Sequence, residues 1–470
     1  MRKIPNTVYY YLSYGVLPIL GLVQTKILVS LLSPTEYGNL QLVVPLLNWF
    51  VIIGGLGAPQ FVIRQYSKDG VRSFQESLFI TIVSSMSIGI FLLIFITLFE
   101  LGYANINLDH TKLGLFILAG LLLQIIALIK SLIRVEERHL LYNTLTVLAK
   151  ILLVMGIVLV VLFHRDSIEG YISGIIVGSL PLIIISGILL KSSIIPVLKM
   201  PTINRVKQLV SYGLPISGII LMGDLLANVN RYIVHPRLGA ENVAIYAIGG
   251  MIAALCMQLL YQPLNTILHP QVFKHWEGGD KPTVNMVLSK YLNFYIILAL
   301  IALGLAIRLE DFLFLAIANA SYQLPSGLFA VFLIANLLIG VYRFSSTHYY
   351  IIKDTLELGV VFLLSITINI LIAVIFINYG GLYSAAAGML FGSLTLVVVS
   401  WMRGRTRVRM KLQPRFLLPS FLLMVLLITL PRATYWEPTK ILNWLDILCS
   451  ILVSAVLAYF NIKYLNRQFS

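Results

Sequence analysis

The chain has 470 residues, of which 59% are hydrophobic and only 11% charged, with a mean hydropathy of +0.92 and a formal net charge of +15. That balance excludes a water-soluble globular domain, which carries about 25% charged residues and a smaller apolar fraction. It leaves a membrane protein, in which an excess of Lys and Arg marks the cytoplasmic loops and does not point to nucleic acid.

Apolar runs of roughly 20 residues, long enough for a hydrocarbon core of about 30 Å, predict about fourteen transmembrane helices. In chain order they fall at residues 8–32, 40–63, 77–99, 113–133, 140–163, 168–190, 208–234, 243–267, 288–307, 325–342, 357–378, 381–402, 416–431 and 441–464. Runs such as Leu78 to Phe99 and Val360 to Ile377 are apolar on every side, which fits helices and not the period-2 alternation of a β-barrel. The first run follows Arg2 and Lys3 without a small-residue cleavage site, so it is expected to stay in the protein. Cys256 and Cys449 both lie in apolar runs and read as small buried hydrophobes. Tyr9, Tyr10, Tyr11 and Tyr14 form an aromatic cluster suited to an interfacial anchor.

If the N-terminus is cytoplasmic, Lys112, Arg165, Arg237, Arg308, Arg432 and Lys440 fall on the opposite face, and Lys26, Lys150 and Arg231 fall within spans. All the remaining Lys and Arg of the 34 then lie on the cytoplasmic face. So strong a bias over short loops predicts a multi-pass bacterial inner-membrane protein with both termini cytoplasmic. The run Arg403 to Lys411 fits this orientation role and would also suit anionic headgroups. The longest expected loops, 100–112, 191–207 and 268–287, are too short for an independent domain.

Ser13-Tyr14-Gly15-Val16-Leu17-Pro18 opens the first span and Ser211-Tyr212-Gly213-Leu214-Pro215 opens the seventh. Each is followed by a span and a short turn with an acid, Pro34-Thr35-Glu36-Tyr37-Gly38 in one half and Gly239-Ala240-Glu241-Asn242 in the other. The offset is six spans, an even number, so this is a parallel repeat about an axis along the membrane normal. The expected organisation is an N-terminal six-helix lobe at 1–195, a second at 196–404, and two additional helices at 405–470.

A charge at bilayer depth costs about 2.5–3.5 kcal/mol on insertion scales, so those that persist face a cavity or a partner. Lys150 lies near the middle of its span, suited either to a cavity or to an ion pair. Lys26 and Arg231 lie toward the outer ends of theirs and could snorkel. Asp224, Asn228 and Arg231 share one helix face at i, i+4, i+7, and Asp224 could simply neutralise a neighbouring cation. Three cations against one acid would favour anionic cargo such as a phosphate-bearing headgroup. Two polar stripes, Gln41, Pro45, Asn48, Gly55 and Pro59 in one span and Gln258, Gln262 and Asn265 in another, suit sugar hydroxyls or interhelical hydrogen bonds. Pro18, Pro215, Gly54, Gly55 and Gly57 weaken the helical ladder and suit either bending or close packing. No phosphate-binding loop, zinc motif or nucleophilic triad is present in the sequence, so no enzyme is expected.

The Ser13-Tyr14-Gly15 opening with Pro18, the Leu32-Ser33-Pro34-Thr35-Glu36-Tyr37-Gly38 turn and the Gly-rich second span ending in Arg64, within a six-plus-six-plus-two layout, resemble Wzx-type polysaccharide (O-antigen) flippases. That superfamily also holds the multidrug and toxin extrusion (MATE) transporters and MurJ-type lipid II flippases. The resemblance implies a two-lobed bundle that carries undecaprenyl-diphosphate-linked oligosaccharide units to the periplasmic leaflet by alternating access, for O-antigen (lipopolysaccharide) or capsule biosynthesis. The intramembrane cations and polar stripes, Lys150, Lys26, Arg231, Arg64, Asn48, Asn228, Gln258 and Gln262, are the expected cargo-binding residues. The resemblance also implies Asp224 and Asn369 as the residues coupling to Na+ or H+, with no other cofactor, and a polysaccharide polymerase or ligase as partner beside membrane lipids. A drug or organic-cation antiporter on the same fold is the second reading, disfavoured because it wants an acidic, aromatic cavity. A membrane glycosyltransferase would need a larger external loop for its acid and base groups.

Overall fold

The computed structural model describes residues 6–99, 109–164, 166–190, 200–318 and 322–429. These are helical almost throughout, with no strand among them. The expected span 441–464, Cys449, Arg165, Arg432, Lys440 and most of the connections 100–112 and 191–207 lie outside the described residues, as do the side chains of Tyr9, Tyr10, Tyr11 and Tyr14.

The helices are α1 (Asn6–Leu31), α2 (Pro34–Gly55), α3 (Ala58–Asp69), α4 (Val71–Phe99), α5 (His110–Val135), α6 (His139–Phe163), α7 (Ser167–Leu189), α8 (Ile203–Leu238), α9 (Ala240–Glu277), α10 (Lys281–Arg308), α11 (Glu310–Ile317), α12 (Leu328–Ser345), α13 (Thr347–Ile352), α14 (Thr355–Gly380), α15 (Leu382–Gly404) and α16 (Pro414–Thr429). Among the described residues, eleven segments are long and apolar enough to cross a membrane, and the shorter apolar stretches Val16–Leu31 and Leu417–Thr429 add to them. The all-α, polytopic architecture expected from the sequence is the one observed.

Two differences from the expected spans carry physical reasons. The run 40–63 is not one helix: it stops at Gly55 and restarts at Ala58, with Leu56 (φ 45°) and Gly57 (φ 71°) in the left-handed region. Residues 268–287 do not form a loop, because α9 runs on to Glu277, where Gly278 and Gly279 (φ 76°) end it, and α10 begins at Lys281. At 1.5 Å per residue the 38 residues of α9 reach about 57 Å, well beyond a hydrocarbon core of about 30 Å. By contrast α1 and α8 continue through Pro18 and Pro215.

Acids at helix starts explain much of the small acidic complement. Ser33 and Glu36 form a capping box on α2, with Pro34 at the first position. Asp109, Asp166, Asp280 and Asp354 accept backbone amides at the starts of α5, α7, α10 and α14. Asp166 also meets Lys112 Nζ at 2.6 Å. Burial alone would raise its pKa, but the Lys112 hydrogen bond and the amides of Glu169 and Ile168 hold the carboxyl below its ordinary range.

The chain divides into two compact units, Met1–Asn228 with Leu238–Ala244, and Val229–Arg237 with Ile245–Ser470. In the first, α6 packs on α7 through Gly156, Gly174 and Gly178, where an added Cβ would strike backbone of the other helix. A core of Phe61, Phe74, Leu128, Leu132, Ile133 and Leu145 joins α3 to α6. Glu76, 1% exposed, meets Arg72 at 2.8 Å and Arg205 at 3.5 Å, and Arg205 also reaches Asp69 at 2.7 Å, fixing the start of α8 to α3 and α4.

In the second unit α14 packs on α15, with Gly388 seated against the Asn369 backbone, and α12 and α10 extend the layer. The basic connector after α15 is zipped onto α10. Asn285 Oδ1 accepts Arg409 N–H at 2.9 Å, Ser289 Oγ accepts Lys411 N–H at 3.0 Å, and Asn293 accepts Gln413 N–H at 2.9 Å while donating to the Lys411 carbonyl at 2.8 Å. Arg407 and Arg403 pair with Glu357 at 2.9 and 3.5 Å. The run Arg403 to Lys411 is thus an ordered strap, leading into α16, which packs on α10 at Gly304.

Replacing Gly174 by Val should destabilise the purified protein by about 1–3 kcal/mol, as overpacking does, whereas Gly187→Ala, which meets nothing within 4 Å, should be near neutral; thermal unfolding in detergent reads both. Asp166→Ala should cost about 1 kcal/mol through the lost cap. Asp166→Asn keeps a cap and isolates the cost of leaving Lys112, whose side chain is only 9% exposed, without its carboxylate. Because the folded carboxyl is the stronger acid, that second difference is present above a pH of about 4, the unfolded value, and fades as pH falls through the lower folded value.

Candidate functional site

Within the first unit, α1 and α6 bring Gln24 to Lys150. The Lys150 ammonium donates to Gln24 Oε1 at 2.8 Å, and the Tyr171 hydroxyl reaches the same amide. Among the described residues no carboxylate stands within ion-pair distance of Lys150, so the ion-pair alternative is not what the geometry presents. Lys26, two residues from Gln24, is exposed and makes no ion pair among the described residues.

A second polar track runs between α2–α3 and α8, which lie antiparallel. At one end Thr35 Oγ1 donates to Glu241 Oε1 at 3.2 Å, and Gly38 packs directly on Ala240, so the two acid-bearing turns of the repeat touch. Further along, Trp49 Nε1 donates to Asp224 Oδ2 at 2.7 Å, and Asn228 Nδ2 donates to the Asp224 carbonyl at 3.0 Å. Next, Leu56 and Gly57 at the break pack against Gly213, with no room for a side chain on either glycine. At the other end the Arg64 guanidinium stacks 4.2 Å above the Tyr212 ring. Tyr212 and Gly213 of the repeated Ser-Tyr-Gly motif are thus the residues that hold the broken span in place.

Asn48 is exposed on α2 and makes no side-chain hydrogen bond among the described residues, while Pro45 and Gly55 of the same stripe are buried. In the second unit Gln258 and Gln262 on α9 are half-buried and likewise without side-chain partners among the described residues, which does not fit interhelical hydrogen bonding. Arg231 is half-buried on α8 near Tyr246, whose hydroxyl accepts from Asn230 at 3.0 Å. Asn369 is fully buried between α14 and α15. Asp224 and Asn369 thus have different surroundings, one beneath an indole N–H and the other inside a glycine-lined helix contact.

Sequence reasoning missed Gln24, Trp49, Gln124 and Arg343. Gln124 Nε2 donates to the Phe50 and Val51 carbonyls at 3.3 Å and its oxygen accepts Ser85, so it is part of the support for the broken span. Arg343, assigned from sequence to a loop, lies in the last turn of α12 and hydrogen-bonds Tyr261. Isolated amides in apolar spans were the available signal for Gln24 and Gln124. Nothing in spacing pairs Trp49 with Asp224.

Gly213→Ala should push the Leu56 carbonyl away and lower stability or folded yield, while Gly218→Ala, one turn on and open to 4 Å, should be tolerated; fluorescence-detected size exclusion with a melting series distinguishes them.

A family model described as polysaccharide biosynthesis protein matches residues 4–276. No curated protein matches the sequence. Among solved structures, the lipid II flippase MurJ in an inward closed conformation is 14% identical with a TM-score of 0.76, covering 98% of this chain and 99% of its own. An outward-facing multidrug resistance MATE transporter of the MOP superfamily is 14% identical with a TM-score of 0.62 over 85% of this chain and 94% of its own. An inward-facing one is 16% identical with a TM-score of 0.60 over 84% and 98%. At such identities the likeness establishes the fold, and the match over more than half the sequence establishes the family: the chain is a multi-pass membrane protein of the polysaccharide biosynthesis family, with the fold of the MOP-superfamily transporters.

Proposed function

We propose that the protein is a flippase that moves undecaprenyl-diphosphate-linked oligosaccharide repeat units from the cytoplasmic to the periplasmic leaflet for surface polysaccharide biosynthesis, O-antigen or capsule. Family membership and the fold shared with a lipid II flippase support the class of activity. The observation that carries the cargo chemistry is Lys150. Its ammonium sits in a span, bonded to a neutral amide, and among the described residues no carboxylate lies within ion-pair distance of it. Of its three N–H donors one is spent on Gln24, leaving two for oxygens of an anionic headgroup. Such a charge is costly to keep in a span without use.

Lys26, Arg64 and Arg231 supply further positive charge, and the free amides of Asn48, Gln258 and Gln262, with Asn228, offer donors and acceptors to sugar hydroxyls. Coupling to Na+ or H+ through Asp224 and Asn369 would provide the driving force. The protein moves its cargo without making or breaking bonds, in the inner membrane with both termini cytoplasmic, and hands it to a polymerase or ligase.

The test is a gel of surface polysaccharide from a deletion host rescued at matched membrane abundance. Wild type should restore the polymer, Lys150→Ala should give at least tenfold less, and Lys150→Arg should retain part of it. Gln24→Glu should also fail, because it keeps the lysine yet places a carboxylate 2.8 Å from it. Normal polymer with both Lys150→Ala and Gln24→Glu would refute the anionic-cargo role.

A further inference from the structure

The break between α2 and α3 has a carbonyl account that does not close. Leu56 N–H bonds the Ile53 carbonyl at 3.2 Å, which leaves Ile52 out of the helical ladder. The Gly54 carbonyl is taken by Ser84 Oγ, and those of Phe50 and Val51 by Gln124. Gly55 would be served by the amide of residue 59, but that residue is Pro59 and has none. Beside these carbonyls lies a cavity of about 190 Å³ lined by Ile52, Gly55, Gln60, Thr81 and Ser217 among others, all in the first unit. Thr81 lines this space and is 1% exposed, and among the described residues its buried hydroxyl has no hydrogen-bond partner. Ser217 is buried, and neither it nor Gln60 spends its side chain on a protein group among the described residues.

We propose that this cavity is a binding site for a monovalent cation of the sodium class that keeps part of its water, drawing its protein oxygens from the Ile52 and Gly55 carbonyls, the Thr81 and Ser217 hydroxyls and the Gln60 amide. The wall is rich in oxygen acceptors, and the neighbouring donors, Ser84 and Gln124, are already committed to other carbonyls. The C-terminal end of α2 adds about half a negative charge. The lining holds no carboxylate, which suits a monovalent ion and disfavours Ca2+ or Mg2+, whose sites draw on Asp and Glu. Unwound helix carbonyls with hydroxyl partners are a chemically sufficient ligand set in a span. Occupancy would tie α2 and α3 to α4, through Thr81, and to α8, through Ser217. This site is separate from Asp224 and Asn369, and it does not depend on what the cargo is.

The experiment uses the full chain in nanodiscs, with radioactive sodium binding and thermal unfolding across a NaCl series balanced with choline chloride. Saturable sodium binding and a sodium-dependent rise in melting temperature are expected, with Thr81→Val and Ser217→Ala each weakening affinity at least tenfold and Gly187→Ala, which meets nothing within 4 Å, leaving this binding within twofold. Should Thr81→Val fail to fold, Ser217→Ala decides. No sodium-specific effect, stabilisation that follows chloride, or sodium affinity unchanged in both variants would overturn the site and leave a hydrated cavity. Polymer rescue is read separately, so the flippase reading can stand or fall without it.

Discussion

In a hydrocarbon solvent every backbone N–H and C=O must find its partner inside the protein, and the rest of this structure depends on that constraint. It makes the chain a set of long helices, and it makes any interruption conspicuous. The interruption at Leu56–Gly57 is surrounded by the groups that it demands: Gln124 from α5, Ser84 from α4 and the tight face of Gly213 from α8. These contacts account for polar side chains that would otherwise look misplaced in apolar helices.

The same solvent sorts the charges. Most acids are spent as helix caps or in ion pairs near helix ends, as with Asp166 and Lys112 or Glu76 and Arg205. What is left at depth is unusual by contrast. Lys150 leans on an amide, and Asp224 accepts an indole N–H. Glycine plays the complementary role, since Gly38, Gly57 and Gly213 let backbones meet where any side chain would hold them apart.

Hydropathy made the helices legible, because a span's length and apolarity are set by the bilayer and not by tertiary detail. The break in the run 40–63 was only half legible: Gly54, Gly55 and Gly57 marked a weak ladder, but the choice of Leu56 and Gly57 for the left-handed turn depends on Gly213 packing across it. The continuation of α9 through 268–277 was hidden by its polarity and by Pro270, which in a membrane protein read as loop although the helix runs through Pro263 and Pro270 and ends only at Glu277. Of the site, the charged members stood out against apolar sequence. Their pairing with Gln24, Trp49 and Tyr212 was not legible, because contact over 126, 175 or 148 positions is a property of the fold.

Pro59 gives the broken span a character that hydrogen bonds alone could not. A helix interrupted by solvent or strain can heal when its surroundings change, but an imino nitrogen has no proton to offer in any conformation. The Gly55 carbonyl therefore lacks an i+4 amide for the lifetime of the polypeptide, and that one missing bond, unlike the turn at Leu56 and Gly57, is written into the covalent chain and persists through any rearrangement of the helices around it.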